Sequence, residues 1–305
     1  MPSLNDLSLR QLEYAVAVAD ELGFRKAAER CHVSQPSLSA QIQQLEEVLG
    51  VKIFERDKRR VMLTQAGEEL VARARRVLTE TGDILAAASR LSDPFAGPLH
   101  LGVIPTVAPY VLPEVIPAVT KTYPRMMLRL REEKTELLVR GLEEGRLDAA
   151  LLALDPAVGE VEQAVLAEDA FVVALPPGHP LAKKKQVALR DLDEENVLLL
   201  EDGHCFRSQA LALCTRVGAR EVDFRATSLT TLVQMVMSDG HSITLLPALS
   251  VPLENRLEQL AVRPLTPSPS RVLALVWRPG YPRAEALRAL AGTMRAVWPG
   301  TRSIR

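Results

Sequence analysis

The stretch FRKAAERCHVSQPSLSAQIQQLEEVLGVKIFERDKRRVMLTQAGEEL, residues 24–70, has the clearest structural pattern in the N-terminal part of the chain. It begins as a short helix, turns tightly at His32 and Val33, and continues as a second helix. Ser34 is a suitable N-cap for this second helix, and Pro36 lies in its first turn. The apolar residues of the second helix recur at the spacing of one buried face: Leu38, Ile42, Leu45 and Leu49. The stretch therefore predicts a helix-turn-helix.

A basic hairpin follows the helix-turn-helix. Two short strands are predicted at Val51–Phe54 and Val61–Leu63, and residues 52–60 carry five basic and two acidic side chains, a local charge of +3. Either feature alone is common on protein surfaces that bind no nucleic acid. Together they match a docking geometry in which a helix enters the major groove of DNA and a basic wing contacts neighbouring phosphates.

These residues resemble the DNA-binding domain of the LysR-type transcriptional regulators. The resemblance implies a winged helix-turn-helix domain over residues 1–64 and a linker helix over residues 65–92 that pairs with a second chain. It also implies the DNA contacts: bases by Gln35, Pro36, Ser37 and Ser39, and phosphates or the minor groove by Arg56 and Arg59. Many members of the family carry an arginine where this chain has Ala40, so the recognised DNA sequence stays open. Cys31 and His32 are expected to be buried structural residues.

The composition is that of an ordinary globular protein of about two domains. The 305 residues are 47% hydrophobic and 25% charged with a net charge of −1, so only local patterns can indicate nucleic-acid binding. The N-terminus lacks the pattern of a secretory signal, and no apolar run is long enough to span a membrane. The cytoplasm is therefore the predicted compartment, and its reducing conditions disfavour a permanent disulfide among the three cysteines.

Beyond the segment LSDPFAGP, residues 91–98, short apolar runs alternate with helical segments. This alternation predicts an α/β fold with parallel strands. Two lobes joined by crossing segments near Glu168–Phe171 and Arg271–Leu275 fit the pattern, which is the design of the periplasmic-binding-protein-like regulatory domains in the same family. The expected boundaries are 93–305 for the regulatory domain, 97–168 with 273–300 for lobe I, and 169–272 for lobe II.

Motifs for cofactors and for common catalytic sites are absent from the sequence. Neither a GxGxxG motif nor a P-loop occurs, so a nucleotide cofactor is not expected. The sequence also lacks a Cys/His cluster with zinc-ligand spacing and a GxSxG nucleophile motif. We therefore expect neither a cofactor nor a metal.

A second informative stretch, EDGHCFRSQALALC at residues 201–214, holds two of the three cysteines. It predicts a glycine-containing turn after a strand, followed by a helix that begins at or beside Cys205. The free N–H groups and the dipole of a helix start favour a thiolate there. His204 and Arg207 can add positive charge beside Cys205.

The cysteine pair allows two interpretations. A thiolate at Cys205 can attack peroxide to give a sulfenic acid, and a second thiol, Cys214, can resolve it to a disulfide. The acidic neighbours Glu201 and Asp202 oppose the thiolate, however, and the other interpretation is that both cysteines are ordinary core residues.

Further segments extend the resemblance to the peroxide-responsive branch of the family: LEDGHCFRSQALALC at 200–214, LHLGVIPTVAPYVLP at 99–113, FRATSLTTL at 224–232 and ITLLPALSVP at 243–252. The resemblance implies that Cys205 is the peroxidatic cysteine and Cys214 the resolving one. It assigns the peroxide pocket to Thr106, Thr135, His204 and Arg207. Ser208 and Asp223 stand where that branch often has an aspartate and a histidine, so proton delivery and reaction rate can differ.

The partners that follow from the resemblance are promoter DNA, hydrogen peroxide, RNA polymerase and further copies of the chain in a dimer of dimers. Two alternatives remain open at this stage. In one, the regulator binds a small metabolite in the α/β cleft and the cysteines are incidental. In the other, the protein is a thiol peroxidase enzyme, against which the helix-turn-helix and wing argue.

Overall fold

A computed structural model describes residues 6–56, 61–90 and 93–299, except for the side chains of residues 56, 86–90 and 157. By its internal contacts the chain divides into two compact units. The first comprises Met1–Leu91 with Glu143–Arg146, and the second comprises Ser92–Leu142 with Leu147–Arg305.

The first unit contains the predicted helix-turn-helix. Its elements are α1 (Leu9–Glu21), α2 (Phe24–Arg30), α3 (Gln35–Leu49), β1 (Phe54–Arg56), β2 (Val61–Leu63) and α4 (Gln65–Arg90). Ser34 caps α3 by accepting a hydrogen bond from the backbone N–H of Ser37 at 3.4 Å, and α3 ends at Gly50 in the left-handed conformation. Leu38, Ile42 and Leu45 are buried in the core of this unit, and Leu49 packs against that core half-buried, which confirms the predicted face.

Two local predictions in the first unit are wrong. The first wing strand begins at Phe54 and not at Val51, because the preceding backbone is bound to α3: the N–H groups of Ile53 and Phe54 donate to Oε1 of Glu46 at 3.0 and 3.2 Å. The predicted burial of Cys31 and His32 is also wrong: Cys31 is half-buried, and His32 is exposed in the turn between the helices, where it has a left-handed φ of 54°.

The second unit is an α/β structure. Its helices and strands are β3 (Gly97–Val103), α5 (Ala108–Thr122), β4 (Met126–Glu132), α6 (Thr135–Glu143), β5 (Ala149–Ala153), β6 (Glu162–Leu175), β7 (Val187–Ala188), β8 (Asn196–Leu200), α7 (Cys205–Val217), β9 (Arg220–Ala226), α8 (Leu229–Asp239), β10 (Ile243–Pro247), α9 (Val251–Glu254), β11 (Ala261–Thr266), β12 (Ser270–Trp277) and α10 (Ala284–Ala296). The strands run in the order β4-β3-β5-β12-β6-β10-β8-β9, with β11 paired to β6 and β7.

The strand β6 joins the two lobes of this unit. It pairs with β12 up to Ala170, and from Phe171 onward with β10 and β11, so that β4, β3, β5 and β12 form lobe I and β10, β8, β9, β11 and β7 form lobe II. β3 pairs in parallel with β4 and β5, and β8 in parallel with β9 and β10, as the alternating pattern predicts. The two-lobed α/β fold is therefore confirmed.

Of the two predicted crossings between the lobes, the structure confirms the first and shifts the second. The segment Glu168–Phe171 lies where β6 changes partners, as predicted. The second crossing lies between β11 and β12, at residues 267–269, and not within Arg271–Leu275, which is inside β12. Pro267 and Pro269 lack an N–H group for a strand ladder, which explains why the chain leaves one lobe and enters the other there.

Each lobe has its own hydrophobic core. The core of lobe I includes Leu101, Leu151 and Trp277, and the core of lobe II includes Phe171 and Val236. Within the described ranges, no helix is both long and apolar enough to cross a membrane.

Candidate functional site

The helix α7 begins at Cys205, directly after a tight turn, as the sequence indicates. β8 ends at Leu200, and Gly203 takes a φ of +90°, a conformation that favours glycine. His204 is the N-cap residue with extended backbone, but its side chain makes no capping hydrogen bond. The first N–H groups of α7 are therefore not capped by the His204 side chain, which leaves them able to stabilise an anion.

Both cysteines of α7 are free thiols in buried positions, but they differ in surroundings. Cys205 is 8% exposed and packs with the core of lobe I. Cys214 is 1% exposed and packs in the core of lobe II. Burial raises the pKa of the Cys214 thiol to about 11, so Cys214 is protonated at neutral pH in this conformation.

Buried polar atoms without hydrogen-bond partners occur at three residues near the start of α7 and α6. Among the described residues, Oγ1 of Thr135, Nε2 of His204 and Oε1 of Gln209 have none. Thr135 is the first residue of α6, His204 precedes Cys205, and Gln209 lies one helical turn beyond Cys205 on the same face of α7. Buried polar atoms are nearly always satisfied, so this group is suited to a small polar ligand.

The imidazole of His204 is neutral at physiological pH in these surroundings. Burial lowers the pKa of His204, and the nearby ammonium of Lys134 lowers it further. A neutral imidazole has one nitrogen that donates a hydrogen bond and one that accepts, so His204 can donate a hydrogen bond to a ligand or accept one from it.

Thr106 is held in place by Arg271, which forms a buried ion pair with Asp169. Nη1 of Arg271 donates to Oγ1 of Thr106 at 2.8 Å, and Nη2 donates to its carbonyl oxygen at 3.0 Å. Arg271 also pairs with Asp169 at 3.0 Å, and its guanidinium lies 5.3 Å from the ring centroid of Phe206, the residue after Cys205. Because Oγ1 of Thr106 accepts from Arg271, its hydroxyl hydrogen remains free to donate.

Arg207 has a different environment from the other predicted pocket residues. Its guanidinium donates to Oδ1 of Asp202 at 2.8 Å, to Oε1 of Glu221 at 2.7 Å and to the carbonyl oxygen of Leu200 at 3.2 Å. Burial opposes the charge, but the bonds to Glu221 and Asp202 outweigh burial and raise the pKa of Arg207. Arg207 thus anchors α7 to β8 and β9, and its contact with peroxide stays a prediction.

A cavity of about 300 Å³ lies between the lobes beside α7. It is bounded by residues that follow the carboxyl ends of parallel strands in both lobes, the usual place for ligands in open α/β sheets. Thr106 and His204 line it together with Lys134, Glu201 and Glu254. Thr135, Cys205 and Arg207 are not among its lining residues. The cavity therefore brings together two of the four predicted pocket residues.

The predicted base-contacting residues lie at the accessible start of α3. Gln35, Pro36 and Ser37 are exposed, and Ser39 is half-buried. The side chain of Arg56 and the whole of Arg59 lie outside the described residues. The carboxylate of Glu46, which fixes the start of the wing, also pairs with Lys52 at 2.7 Å.

The linker helix α4 divides its apolar stripe between two environments. Leu70 and Ala74 pack against the core of the first unit. Val77, Ile84 and Leu85 are 44%, 69% and 69% exposed. Apolar side chains that recur along one helix and remain exposed are typical of a face that pairs with another chain.

The positions that depart from the peroxide-responsive branch are both on the surface. Ser208 and Asp223 are exposed, outside the buried group around Cys205. In the part of the chain that the structure describes, no cluster of three or more His, Cys, Asp or Glu residues has a geometry suited to a metal.

Sequence reasoning did not identify Gln209 or Arg271 as members of the site. The spacing of four residues between Cys205 and Gln209 was a usable signal, since it puts both side chains on one face of a helix. Arg271 had no local signal, because its partner Thr106 is 165 positions away in the chain.

Two family matches cover nearly the whole chain. The bacterial regulatory helix-turn-helix family of lysR type matches residues 9–68, and the LysR substrate binding domain matches residues 92–299. The hydrogen peroxide-inducible genes activator of Pectobacterium carotovorum is 45% identical over 96% of this chain and 98% of its own length. The DNA-binding transcriptional dual regulator OxyR of Escherichia coli is 44% identical over 96% of this chain and 97% of its own length.

Solved structures show the same similarity. A full-length OxyR variant from Pseudomonas aeruginosa matches with a TM-score of 0.79 and 36% identity, over 98% of this chain and 99% of that one. Crystal structures of the oxidised and reduced forms of OxyR each match 69% of this chain and 100% of their own length, with a TM-score of 0.62 and identities of 41% and 39%.

Proposed function

The chain belongs to the LysR family of bacterial helix-turn-helix regulators, and we propose that it senses hydrogen peroxide through Cys205 and changes its binding to promoter DNA in response. The relatives described above are named for hydrogen peroxide-inducible genes or for OxyR, which supports this signal among the many that such regulators use.

The observation that carries the proposal is a set of buried polar atoms without hydrogen-bond partners. His204 and Gln209, which flank Cys205 in the chain, each have one, and so does Thr135, which follows Lys134 where that lysine binds the turn before α7. Hydrogen peroxide has two O–H donors and two oxygen acceptors in a molecule little larger than water. Thr135, His204 and Gln209 offer buried donors and acceptors for it, and the hydroxyl hydrogen of Thr106 adds another. An apolar effector would leave these atoms unsatisfied, at a cost of about 1–3 kcal/mol each.

In the first chemical step the Cys205 thiolate attacks one oxygen of peroxide. An S–O bond forms and the O–O bond breaks, which gives Cys205 sulfenic acid and a hydroxide ion that takes a proton to become water. Neutral His204 and the hydroxyl groups of Thr106 and Thr135 are suited to hydrogen-bond the two oxygens as charge moves from one to the other.

In the second step Cys214 attacks the Cys205 sulfur. An S–S bond forms, the S–O bond breaks, and the oxygen leaves as water with the proton of the Cys214 thiol. Cys205 and Cys214 together lose two electrons, and peroxide is reduced to two waters. This disulfide is the proposed switch, because it cannot form while α7 is intact, and a refolded α7 alters the surface of lobe II.

The remaining assignments complete the proposed regulator. Gln35, Pro36, Ser37 and Ser39 contact bases, and Arg56 and Arg59 contact the DNA backbone. The exposed apolar face of α4 pairs with a second copy of the chain, and regulatory domains join two such pairs into a dimer of dimers. The protein acts in the cytoplasm, where it contacts RNA polymerase at promoters.

A second candidate function is that of a metabolite-responsive regulator of the same family. The cavity of about 300 Å³ between the lobes favours it, since this volume is at the lower end of the range for small-molecule sites. In that case the cysteines are incidental. A thiol peroxidase enzyme is the third possibility, and its sign would be sustained turnover with a reductant, independent of DNA.

DNA footprinting on the promoter region of the chain's own gene tests the proposal. We expect the footprint of the wild-type protein to change its extent on addition of peroxide and to return with dithiothreitol. Cys205→Ser should give the reduced footprint under both conditions, and Cys31→Ser should behave like the wild type. An equal response of Cys205→Ser and the wild type would exclude the thiol mechanism and leave the metabolite-responsive regulator.

A further inference from the structure

Lys134 connects the two lobes at the turn that leads into Cys205. It stands between β4 and α6, in lobe I. Its ammonium lies 2.6 Å from Oε1 of Glu201 and donates to the carbonyl oxygen of Asp202 at 2.9 Å. Both acceptors belong to lobe II, in the turn before α7. One charged side chain therefore spans from one lobe to the turn that presents the cysteine of the other.

The turn is shaped to receive this lysine. A Cβ atom at Gly203 would lie 2.9 Å from Cδ of Lys134, closer than side chains pack. Gly203 also has a φ of +90°, which residues with a Cβ rarely adopt. The lysine stem thus lies against bare backbone, and its position is fixed by packing as well as by charge.

The residues that follow Lys134 and Gly203 in the chain both carry buried polar atoms without hydrogen-bond partners. Thr135 follows Lys134 in the chain, and its buried hydroxyl lacks a partner. His204 follows Gly203, and its buried Nε2 also lacks one. An ion pair between the two segments consequently sets the distance between polar groups contributed by different lobes.

We propose that Lys134 is a positioning residue, which holds Thr135 of lobe I and Cys205 of lobe II in register for reaction with peroxide. The inference rests on the proposed peroxide-sensing function and adds to it a residue that does not itself touch the reacting atoms. Displacing reacting groups by about 1 Å can slow a reaction by about a hundredfold, so an inter-lobe contact of this kind has a measurable effect.

A purely electrostatic role for Lys134 makes a different prediction. In that role its positive charge would act on a thiolate, and a thiolate reacts with alkylating agents as well as with peroxide. Alkylation by iodoacetamide needs the thiolate but not Thr135. If Lys134 positions the two lobes, its removal slows peroxide oxidation much more than alkylation. If it only stabilises the thiolate, both reactions slow equally.

The test measures second-order rate constants of Cys205 with peroxide and with iodoacetamide in the full-length protein, with Cys31→Ser and Cys214→Ser as background. Lys134→Met keeps the stem over Gly203 and removes the charge, whereas Lys134→Arg keeps a charged donor. Lys184→Met is the matched control, because Lys184 forms an ion pair of 2.7 Å with Asp191 inside lobe II alone.

We expect Lys134→Met to lower the peroxide rate constant by about ten- to a hundredfold and the iodoacetamide rate constant by less than about threefold. Lys134→Arg should recover most of the peroxide rate, and Lys184→Met should match the background protein. An equal loss in both reactions, or no loss, overturns the positioning role. Slow oxidation of Cys205 in the background protein itself would instead count against the proposed function, so the two failures are distinguishable.

Discussion

Cys205 and Cys214 lie in the same unbroken helix, but their side chains pack in the hydrophobic cores of different lobes. Nine residues of α-helix separate their Cα atoms by about 13 Å. A disulfide requires Cα atoms within about 7 Å of each other. The two cysteines therefore cannot be joined while α7 keeps its present form, and at least one of them must leave its core.

The first prediction is that disulfide formation unfolds part of α7. After oxidation, backbone amides of residues 205–217 should exchange with deuterium at least about a hundredfold faster than in the reduced protein, because intrahelical hydrogen bonds are lost. Hydrogen exchange followed by mass spectrometry measures this. The Cys214→Ser protein, which stops at the sulfenic acid, should keep the slow exchange. Equal protection in reduced and disulfide-bonded wild type would contradict the prediction.

The second prediction concerns the buried ion pair that holds Thr106. Arg271→Met leaves the carboxylate of Asp169 uncompensated in a buried position, so the free energy of unfolding should fall by about 3–5 kcal/mol in urea denaturation. Adding Asp169→Asn should restore part of this loss, because the amide is neutral and its oxygen can still accept from the N–H of Leu249.

Arg140→Met is the control, since its exposed pair with Glu136 contributes at most about 1 kcal/mol. A loss below about 1 kcal/mol for Arg271→Met would contradict the prediction.

Local pattern predicts those parts of the molecule that depend on one element at a time. The buried face of α3 and the alternation of strands and helices follow from the spacing of apolar residues, and the start of α7 follows from Gly203 and the residues around it. Local pattern does not predict hydrogen bonds that join separate elements. Three such bonds connect Arg271 to Thr106, Lys134 to Asp202 and Arg207 to Glu221.

The errors have the same physical origin. The first wing strand was predicted to start at Val51 from the local sequence alone. The carboxylate of Glu46 instead binds the N–H groups of Ile53 and Phe54, and a tertiary hydrogen bond overrides the local preference. The turn at His32 was predicted, but the exposure of its side chain depends on how the neighbouring elements pack, which a local pattern does not show.

The third prediction separates affinity from specificity at the DNA. Arg56→Ala should weaken binding to all sequences and reduce the slope of log K against log salt by about one unit, as expected for one lost phosphate contact. Ser37→Ala should leave the slope unchanged and alter the preferred operator, because Ser37 is exposed at the start of α3. Fluorescence anisotropy across a salt series measures both quantities. Arg190→Ala makes the same charge change outside the first unit, and it should change neither the salt slope nor the preferred operator. If Arg56→Ala leaves the slope unchanged, the wing is not part of the DNA interface.

The fourth prediction follows from the protonation of Cys214. Its pKa is raised from an ordinary value of 9.0 to about 11 by burial. Between these two pH values the unfolded chain loses the Cys214 proton while the folded chain retains it. The unfolded state then binds fewer protons, so the free energy of unfolding falls as pH rises, by about 2–3 kcal/mol over the interval. Below pH 9 this stability is fully present.

The measurement compares Cys205→Ser with the double variant Cys205→Ser/Cys214→Ala, both reduced, by urea denaturation from pH 8 to pH 11. Tyrosines and lysines titrate in both proteins and cancel in the difference, so the advantage of the protein that retains Cys214 should shrink as pH rises above 9. A difference that stays constant would show that burial does not keep Cys214 protonated.

The functional consequence is that only roughly one Cys214 in three thousand is a thiolate at pH 7.5. Cys214 is therefore a poor nucleophile in its place in the core, and its Cα is also too far from that of Cys205 for a disulfide. Opening of α7 must come before the disulfide, and conditions that loosen this helix, such as low urea concentrations, should accelerate resolution without accelerating the first reaction with peroxide.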